Sequence, residues 1–281
     1  MPISQNRKTQ KMTPNLKAAQ KPGNGRVVHV TPQSAGWTYV GFDLHRLAPG
    51  GAASGKSEDR ETCLVFVTGK GRAQAGSDLG ELGARMTPFE GKPWSVYVPA
   101  GVEWSVTATT DLELAVCTAP AIDNKLPVRV ITPDEGSVVT RGKGSNTRYV
   151  TNILAETDPA DSLLVVEVIT PGGNTSSYPP HRHDEDDLPR QSFLEETYYH
   201  RLNPPQGFAF QRVYTDKRAD GTRELDVSMA VEDGDVTLVP KGYHPCAACH
   251  GYDLYYLNVM AGPVRTWKFH NAPEHEWLMK G

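Results

Sequence analysis

At 281 residues, 38% of them hydrophobic, the chain is long enough for one large or two ordinary domains with real cores. A formal net charge of -4 gives no electrostatic reason to expect nucleic acid or an anionic membrane surface as partner. No apolar run approaches the ~20 residues of a spanning helix and no signal-peptide pattern opens the chain, so a cytoplasmic protein is expected. Residues 1 to 26 carry Arg7, Lys8, Lys11, Lys17, Lys21 and Arg26, no acidic residue and almost nothing large and apolar, which reads as a disordered basic tail.

From Trp37 onward, short apolar runs alternate with Gly and Pro: WTYVGFDLHRL, PGG, TCLVFVTGKG, WSVYVPAG, LELAVCTAP. Runs rich in Val, Tyr, Phe and Trp, each closed by a turn signal, predict strands of a sandwich or barrel. A polar, Gly-rich connection containing RGKGSNTR follows between Asp123 and Tyr149, and strands resume with SLLVVEVITPGG. Cys63, Cys117, Cys246 and Cys249 are too few and scattered for a disulfide framework.

The two halves repeat each other. LAPGG at 47–51 matches ITPGG at 169–173, Glu61-Thr62 matches Glu196-Thr197, and the VPAG turn from Val98 matches the VPKG turn from Val239. The offset grows along the chain, with the largest insertion at His183 to Glu195. Two β domains are expected, 27–125 and 126–281.

His181 and His183 stand two apart in YPPHRHD, so in an extended segment both imidazoles share a face while Arg182 points away. Glu195 or Glu196 follows at the start of a predicted strand, and His244 follows the VPKG turn. Histidines with one carboxylate suit zinc, manganese, iron or nickel. In the first copy, the histidine positions fall near Asp59, Glu61 and Glu103. It therefore reads as a structural or dimer-forming copy, which makes a homo-oligomer an open expectation, and the second copy as the metal-binding one.

A PGG turn, an HxH pair, a Glu and a later His after a V-P-x-G turn, set in repeated short strands, resemble the cupin superfamily. YPPHRHD, LEETYYHRLNPPQGFAFQRVYTD, MAVEDGDVTLVPKGYHP, GYDLYYLNVMAGP and WKFHNAPEHEW resemble the 5-deoxy-glucuronate isomerases of myo-inositol catabolism, from about Gly36 to Trp277. The resemblance implies an all-β bicupin and an aldose to ketose isomerisation of a small sugar acid. It also implies a divalent metal, zinc first, on His181, His183, Glu196 and His244. Glu196 is preferred over Glu195 by the match to Glu61-Thr62 and by the likeness of E-T-Y-Y to the E-V-Y-F segment of 5-keto-4-deoxyuronate isomerases.

Such a reaction moves a proton between adjacent carbons while charge builds on the neighbouring oxygens, which a metal and a proton shuttle serve. Tyr198 and His200 share the face of Glu196 on a regular strand. Tyr255, Lys268, Glu195 and Tyr243 are further candidates for the shuttle. Arg182, Arg201, Arg212 or Lys268 would meet the substrate carboxylate. His270 and His275 lie in a C-terminal segment that either closes over the site or packs as an ordinary terminus, and Cys246 and Cys249 read as two small thiols. The alternatives are a 5-keto-4-deoxyuronate isomerase, a cupin dioxygenase and a sugar-binding cupin without catalysis.

Overall fold

The structure is a computed structural model, and it describes residues 15–21, 23–123 and 125–279. The first half contributes β1 (Gly25–Val30), β2 (Gly41–Leu47), β3 (Ala52–Gly55), β4 (Arg60–Thr68) and β5 (Gly71–Ala75), then β6 (Ser77–Leu82), β7 (Trp94–Val98), β8 (Trp104–Ala108), β9 (Leu112–Pro120) and β10 (Arg129–Ile131). The second contributes β11 (Ser137–Arg141), β12 (Arg148–Leu154), β13 (Leu164–Thr170), β14 (Thr175–Ser176), β15 (His181–Arg182), β16 (Asp184–Asp187) and β17 (Gln191–Phe193). It continues with β18 (Glu195–Asn203), β19 (Phe208–Tyr214), β20 (Asp226–Glu232), β21 (Val236–Val239), β22 (Cys246–Ala248), β23 (Asp253–Ala261) and β24 (His270–Asn271). None of the described helices is long and apolar enough to cross a membrane.

Each half is a sandwich of a six-stranded and a four-stranded sheet. The orders are β1-β2-β9-β4-β7-β10 with β3-β8-β5-β6, and β11-β12-β13-β23-β18-β21 with β14-β22-β19-β20. Reading β2 onto β13, β9 onto β23, β4 onto β18 and β7 onto β21 reproduces the same antiparallel order. The all-β, two-cupin architecture expected from the sequence is therefore present, as paired sheets in each half.

The two large sheets lie back to back, which explains why β4 and β18 are apolar on both faces rather than alternating. In β4, Cys63, Val65 and Val67 face the other half, where they join a core with Phe42, Tyr97, Cys117, Tyr199, Tyr255 and Val259. Leu64 and Phe66 face inward, into the first half's own sandwich with Val96, Val106 and Leu114. The second half has the corresponding inner core around Tyr198, Leu202, Val213, Tyr256 and Met260. Burial of side chains of this size is worth roughly 1.5–3 kcal/mol each, so the seam between halves is a core in its own right.

Two reciprocal devices lock the halves. Glu61 accepts the backbone N–H groups of Asp161, Ser162 and Leu163 at 2.7, 2.6 and 2.5 Å, just before β13. Glu195 accepts those of Thr38, Tyr39 and Val40 at 2.6, 2.6 and 3.0 Å, just before β2. Each carboxylate thus satisfies the strand entry of the opposite half. Two arms, one between the halves and one ahead of β1, complete the sheet edges at β7 and β21. Arg129–Ile131, expected in the second domain, pairs with β7 of the first, while Lys17 bridges Thr237 on β21, with Leu238 N–H donating to Leu16 O and Ala18 N–H to Val236 O.

The second of these arms corrects the expected tail. Its residues 1–14 lie outside the described residues, but Leu16 to Ala18 pair along β21 and Gln20 and Lys21 along β1, anchored by the buried side chain of Leu16, and Gly25 already begins β1. One apolar residue and a free strand edge suffice to hold a segment whose composition reads as disordered.

Candidate metal centre

The insertion that sets the second half apart runs from 181 to 193 as short strands. β15 pairs with β24, bringing His181 opposite Asn271, and β16 pairs with β17. His244 follows the VPKG turn, where Gly242 has φ +86° and a Cβ would lie 2.4 Å from Tyr214 O, so only glycine fits this close reversal. The turn delivers His244 into the second sandwich, beside His181 on β15 and His183 in the link between β15 and β16.

His181, His183 and His244 are all buried, and each offers one ligand atom within 4.8 Å of the others. One nitrogen on each ring is held by a backbone carbonyl. His183 Nδ1 donates to Leu194 O at 3.0 Å and His244 Nδ1 to Gly242 O at 2.8 Å, and His181 is bonded to Pro179 O. Carbonyl anchors of this kind fix the tautomer and turn the second nitrogen inward. Glu196 Oε2 completes the group, 3.1 Å from His183 Nε2 and 3.2 Å from His244 Nε2. Its angle to His244 is wrong for a hydrogen bond, leaving His244 Nε2 a buried nitrogen with no hydrogen-bond partner. Three oriented imidazoles, an unpaired inward nitrogen and a carboxylate fit a divalent cation, and the three histidines could hold a metal ion.

Electrostatics favour the neutral form at two of the three histidines. Burial lowers the pKa of His181 and of His244, with each other and His183 adding to the effect on His181. Burial opposes charge on His183 too, but its hydrogen bond to Glu196 prevails and raises it.

Tyr198 lies beside the group, its ring 5.9 Å from that of His244 and its hydroxyl 3.1 Å from Ser177 Oγ. Ser177 holds φ 51°, a conformation that costs a non-glycine residue on the order of 1 kcal/mol or more and tends to occur at functional sites. His200 is on the same face, stacked at 5.8 Å on Tyr198. It is fully buried and turned to Gln211 and Thr237 at 3.2 Å each, with burial pushing its pKa down to about 4.

Other candidates lie elsewhere. Tyr255 faces the seam between halves, donating to Glu167 at 3.0 Å, and Glu167 is gripped by Arg85 of the first half at 2.7 and 3.0 Å. Its strand neighbour Tyr256 is the one turned inward. Lys268 is exposed and meets Ser192 through its backbone. Glu195 is the clasp described above, and Tyr243 donates to Asp216 at 3.0 Å. Arg182 pairs with Asp184 and Glu185, Arg201 with Glu113 and Asp233, and Arg212 with Asp226. The C-terminal segment does reach the site, though through Phe269, 4.6 Å from the His181 ring, rather than through His270 or His275. Cys246 and Cys249 are free thiols.

The register also corrects the internal repeat. Thr62 pairs with Val98 and Thr118, whereas Glu196 pairs with Val239 and Met260. With the VPAG and VPKG turns superposed, Glu196 therefore corresponds to Thr62, and Glu61 to Glu195, as their shared clasp role requires. The match of Glu61-Thr62 to Glu196-Thr197 was one residue out of register.

A narrow cavity opens over the group, lined by His181, Glu196, Tyr198, Ser177, Tyr256 and Asn258, with Arg141, Arg148 and Trp267 at its side. The KduI/IolB family model matches residues 14–278. The chain belongs to the KduI/IolB family. Within it, the chain is 55% identical over 258 residues to the 5-deoxy-glucuronate isomerase of Geobacillus kaustophilus (strain HTA426), covering 91% of each. It is 47% identical over 259 residues to that of Bacillus subtilis (strain 168), covering 91% of this chain and 93% of the other. The crystal structure of an IolB-like protein from Salmonella typhimurium LT2 matches at a TM-score of 0.91 and 52% identity, over 95% of this chain and 100% of that one. Beyond the family, the oxalate decarboxylase of Lactobacillus farciminis shares the fold at a TM-score of 0.61 and 13% identity, over 96% of this chain and 91% of that one.

The cavity residues that sequence reasoning missed are Ser177, Tyr256, Asn258, Trp267, Arg141 and Arg148. Strand parity with Glu196 and its partner strand could have found Tyr256 and Asn258, which lie opposite His200 and Tyr198. The cationic RGKGSNTR connection was the signal for the two arginines.

Proposed function

We propose that the protein is a metal-dependent isomerase that converts 5-deoxy-glucuronate to 2-deoxy-5-keto-gluconate, the aldose to ketose step of myo-inositol catabolism. His181, His183, His244 and Glu196 would hold the ion, with zinc expected and manganese, iron or nickel as alternatives. The observation that carries this reading is the trio of carbonyl-anchored, buried imidazoles around an unpaired nitrogen, in a chain whose 55% identical relative is a 5-deoxy-glucuronate isomerase. A divalent ion at these ligands supplies Lewis-acid polarisation of a substrate carbonyl and the adjacent hydroxyl.

The chain's own residues manage protons and water. Burial, then the nearby Glu196 and Tyr256, raise the pKa of Tyr198 well above the usual phenol range. Its hydroxyl is therefore protonated at rest and would serve as a proton donor to a developing alkoxide, with Ser177 Oγ as the relay through which the proton released by the neighbouring substrate hydroxyl returns to it. Isomerisation shifts one hydrogen between adjacent carbons and one proton between their oxygens, so a donor that is restored within the cycle suffices. Trp267 and Phe269, from the C-terminal segment, shield the cavity side and His181 from water.

The test is turnover of 5-deoxy-glucuronate by purified protein before and after chelation, with single metals restored, alongside 5-keto-4-deoxyuronate. Metal-dependent conversion of the first substrate is expected. Conversion of only the second, or oxygen uptake with iron, would replace the assignment.

A further inference from the structure

Arg141 and Arg148 are out of place as structural residues. They lie directly opposite each other in the β11–β12 register, where like charges destabilise a strand pair. Both are half-buried, and desolvation lowers the pKa of each, with Arg141 acting further against Arg148. Among the described residues neither guanidinium has a carboxylate partner. Arg148 donates to Asn146 O and Oδ1, both at 3.0 Å, and Arg141 lies over the Trp267 ring with Cζ 5.0 Å from its centroid. Asn146 in turn donates to Tyr178 O at 2.9 Å, tying the hairpin to the segment that carries His181. Two cations are thus held in fixed orientation, at a cost in repulsion and desolvation, on the wall of the cavity that also contains His181 and Glu196.

The comparison of halves points the same way. Among the described residues β11 has no counterpart strand in the first half, where only the short bridge of Gln20 to Val28 flanks β1, the equivalent of β12. The strand that completes the arginine pair is an addition to the half that holds the histidines. Every other cation expected to meet a carboxylate is already paired or exposed.

We propose that Arg141 and Arg148 form the carboxylate-binding pair of this cavity and select a sugar acid over the corresponding neutral sugar. The planar forks of two arginines match the two oxygens of a carboxylate, and the anion relieves their mutual repulsion. The assignment rests on the reading of this cavity as the substrate site.

Calorimetric binding of 5-deoxy-glucuronate to the chelated, metal-free full chain tests it without turnover. Arg141→Gln and Arg148→Gln are each expected to weaken binding at least tenfold, the scale of a lost charge-assisted hydrogen bond. The Arg→Lys variants should recover part of that loss, and neutral 5-deoxy-glucose should bind wild type and variants alike. Thermal midpoints of the Gln variants should hold or rise, because one like-charge neighbour is gone, and their metal content on reloading should match wild type.

Gln variants that bind the acid as wild type does would overturn the pair. If they fail to fold, Lys variants with unchanged affinity for the acid would do the same. Wild type that converts the substrate while the variants are unaffected would leave the isomerase reading standing alone. Arginine-dependent binding of the acid without conversion by any metal form would leave the pair standing and remove the isomerase reading.

Discussion

The two halves of this chain have the same strand order, the same clasp and the same glycine turn, yet their sandwiches are filled differently. Facing inward from β4 and β9, the first half places Leu64, Phe66, Leu114 and Val116. At the corresponding positions of β18 and β23 the second half places Tyr198, His200, Tyr256 and Asn258, in the same pairings, Leu64 with Val116 as Tyr198 with Asn258. Where Glu196 reaches His183 and His244, the first half has Thr62, too short to act as a ligand. A duplicated scaffold thus keeps its backbone accounting, while one copy spends its interior on apolar packing and the other on hydroxyls and imidazoles. Those polar groups add less burial energy, and the apolar seam shared between halves supports both.

The largest effect should come from breaking this difference at the metal. His244→Ala removes the unpaired inward nitrogen and is expected to abolish stoichiometric metal binding and isomerisation, with the far-ultraviolet spectrum unchanged. Glu103→Ala, at the position of His244 in the first half, should change neither. Metal analysis of the two purified variants decides it, and loss of metal on changing Glu103 would show that the first half contributes a site.

The clasp tests what the halves share. Glu195→Ala leaves the N–H groups of Thr38, Tyr39 and Val40 without their acceptor, and Glu61→Ala does the same to Asp161, Ser162 and Leu163. Uncovering buried and part-buried donors of this kind costs roughly 3–5 kcal/mol. Both variants should lose stability by similar amounts in denaturant titrations, with metal affinity per folded molecule retained. A large loss for one and none for the other would break the symmetry and return Glu195 to the list of site residues.

Much of this was legible in the residues, because cupin strands are short, turn-bounded and repeated, and because HxH in an extended segment fixes a shared face. The Glu-Thr pairs of the two copies align one residue out of register, and only the ladder partners Val98 and Val239 set Glu196 against Thr62. Tyr255 reads as a site residue from sequence because a strand buried on both faces gives no alternation from which to tell seam from sandwich. Leu16 and the residues around it looked disordered because the strand edge that holds them lies some 220 residues away. Arg141 and Arg148 belonged to a polar connection until the hairpin set them opposite each other.

His200 separates the two interiors by pH. Its first-half counterpart, Phe66, carries no charge, whereas His200 is buried neutral with its pKa lowered to about 4 from an ordinary 6.5. A depressed folded value means that stability from the neutral ring is present in full above about pH 6.5 and is lost as pH falls from there through 4. The full shift corresponds to roughly 3 kcal/mol. Metal-free protein should therefore destabilise across that window, and His200→Gln should flatten the part of the slope that His200 contributes. An unchanged slope in the variant would mean that the ring takes up its proton in the folded state at little cost.

The smallest effect should distinguish the two faces of β23. Tyr255→Phe removes one hydrogen bond to Glu167, a carboxylate that Arg85 continues to hold through both of its oxygens. The ring, packed against Phe89 at 6.3 Å, stays in place. A loss of about 1–2 kcal/mol in stability is expected, with turnover per bound metal unchanged, because the hydroxyl lies in the seam and not in the cavity. Tyr198→Phe, on the inner face of β18, should instead leave metal content near wild type and lower kcat by about a hundredfold, the scale of a lost proton donor. Equal losses of kcat in the two variants would mean that the seam between halves is coupled to the chemistry, and the division of labour between faces would have to be given up.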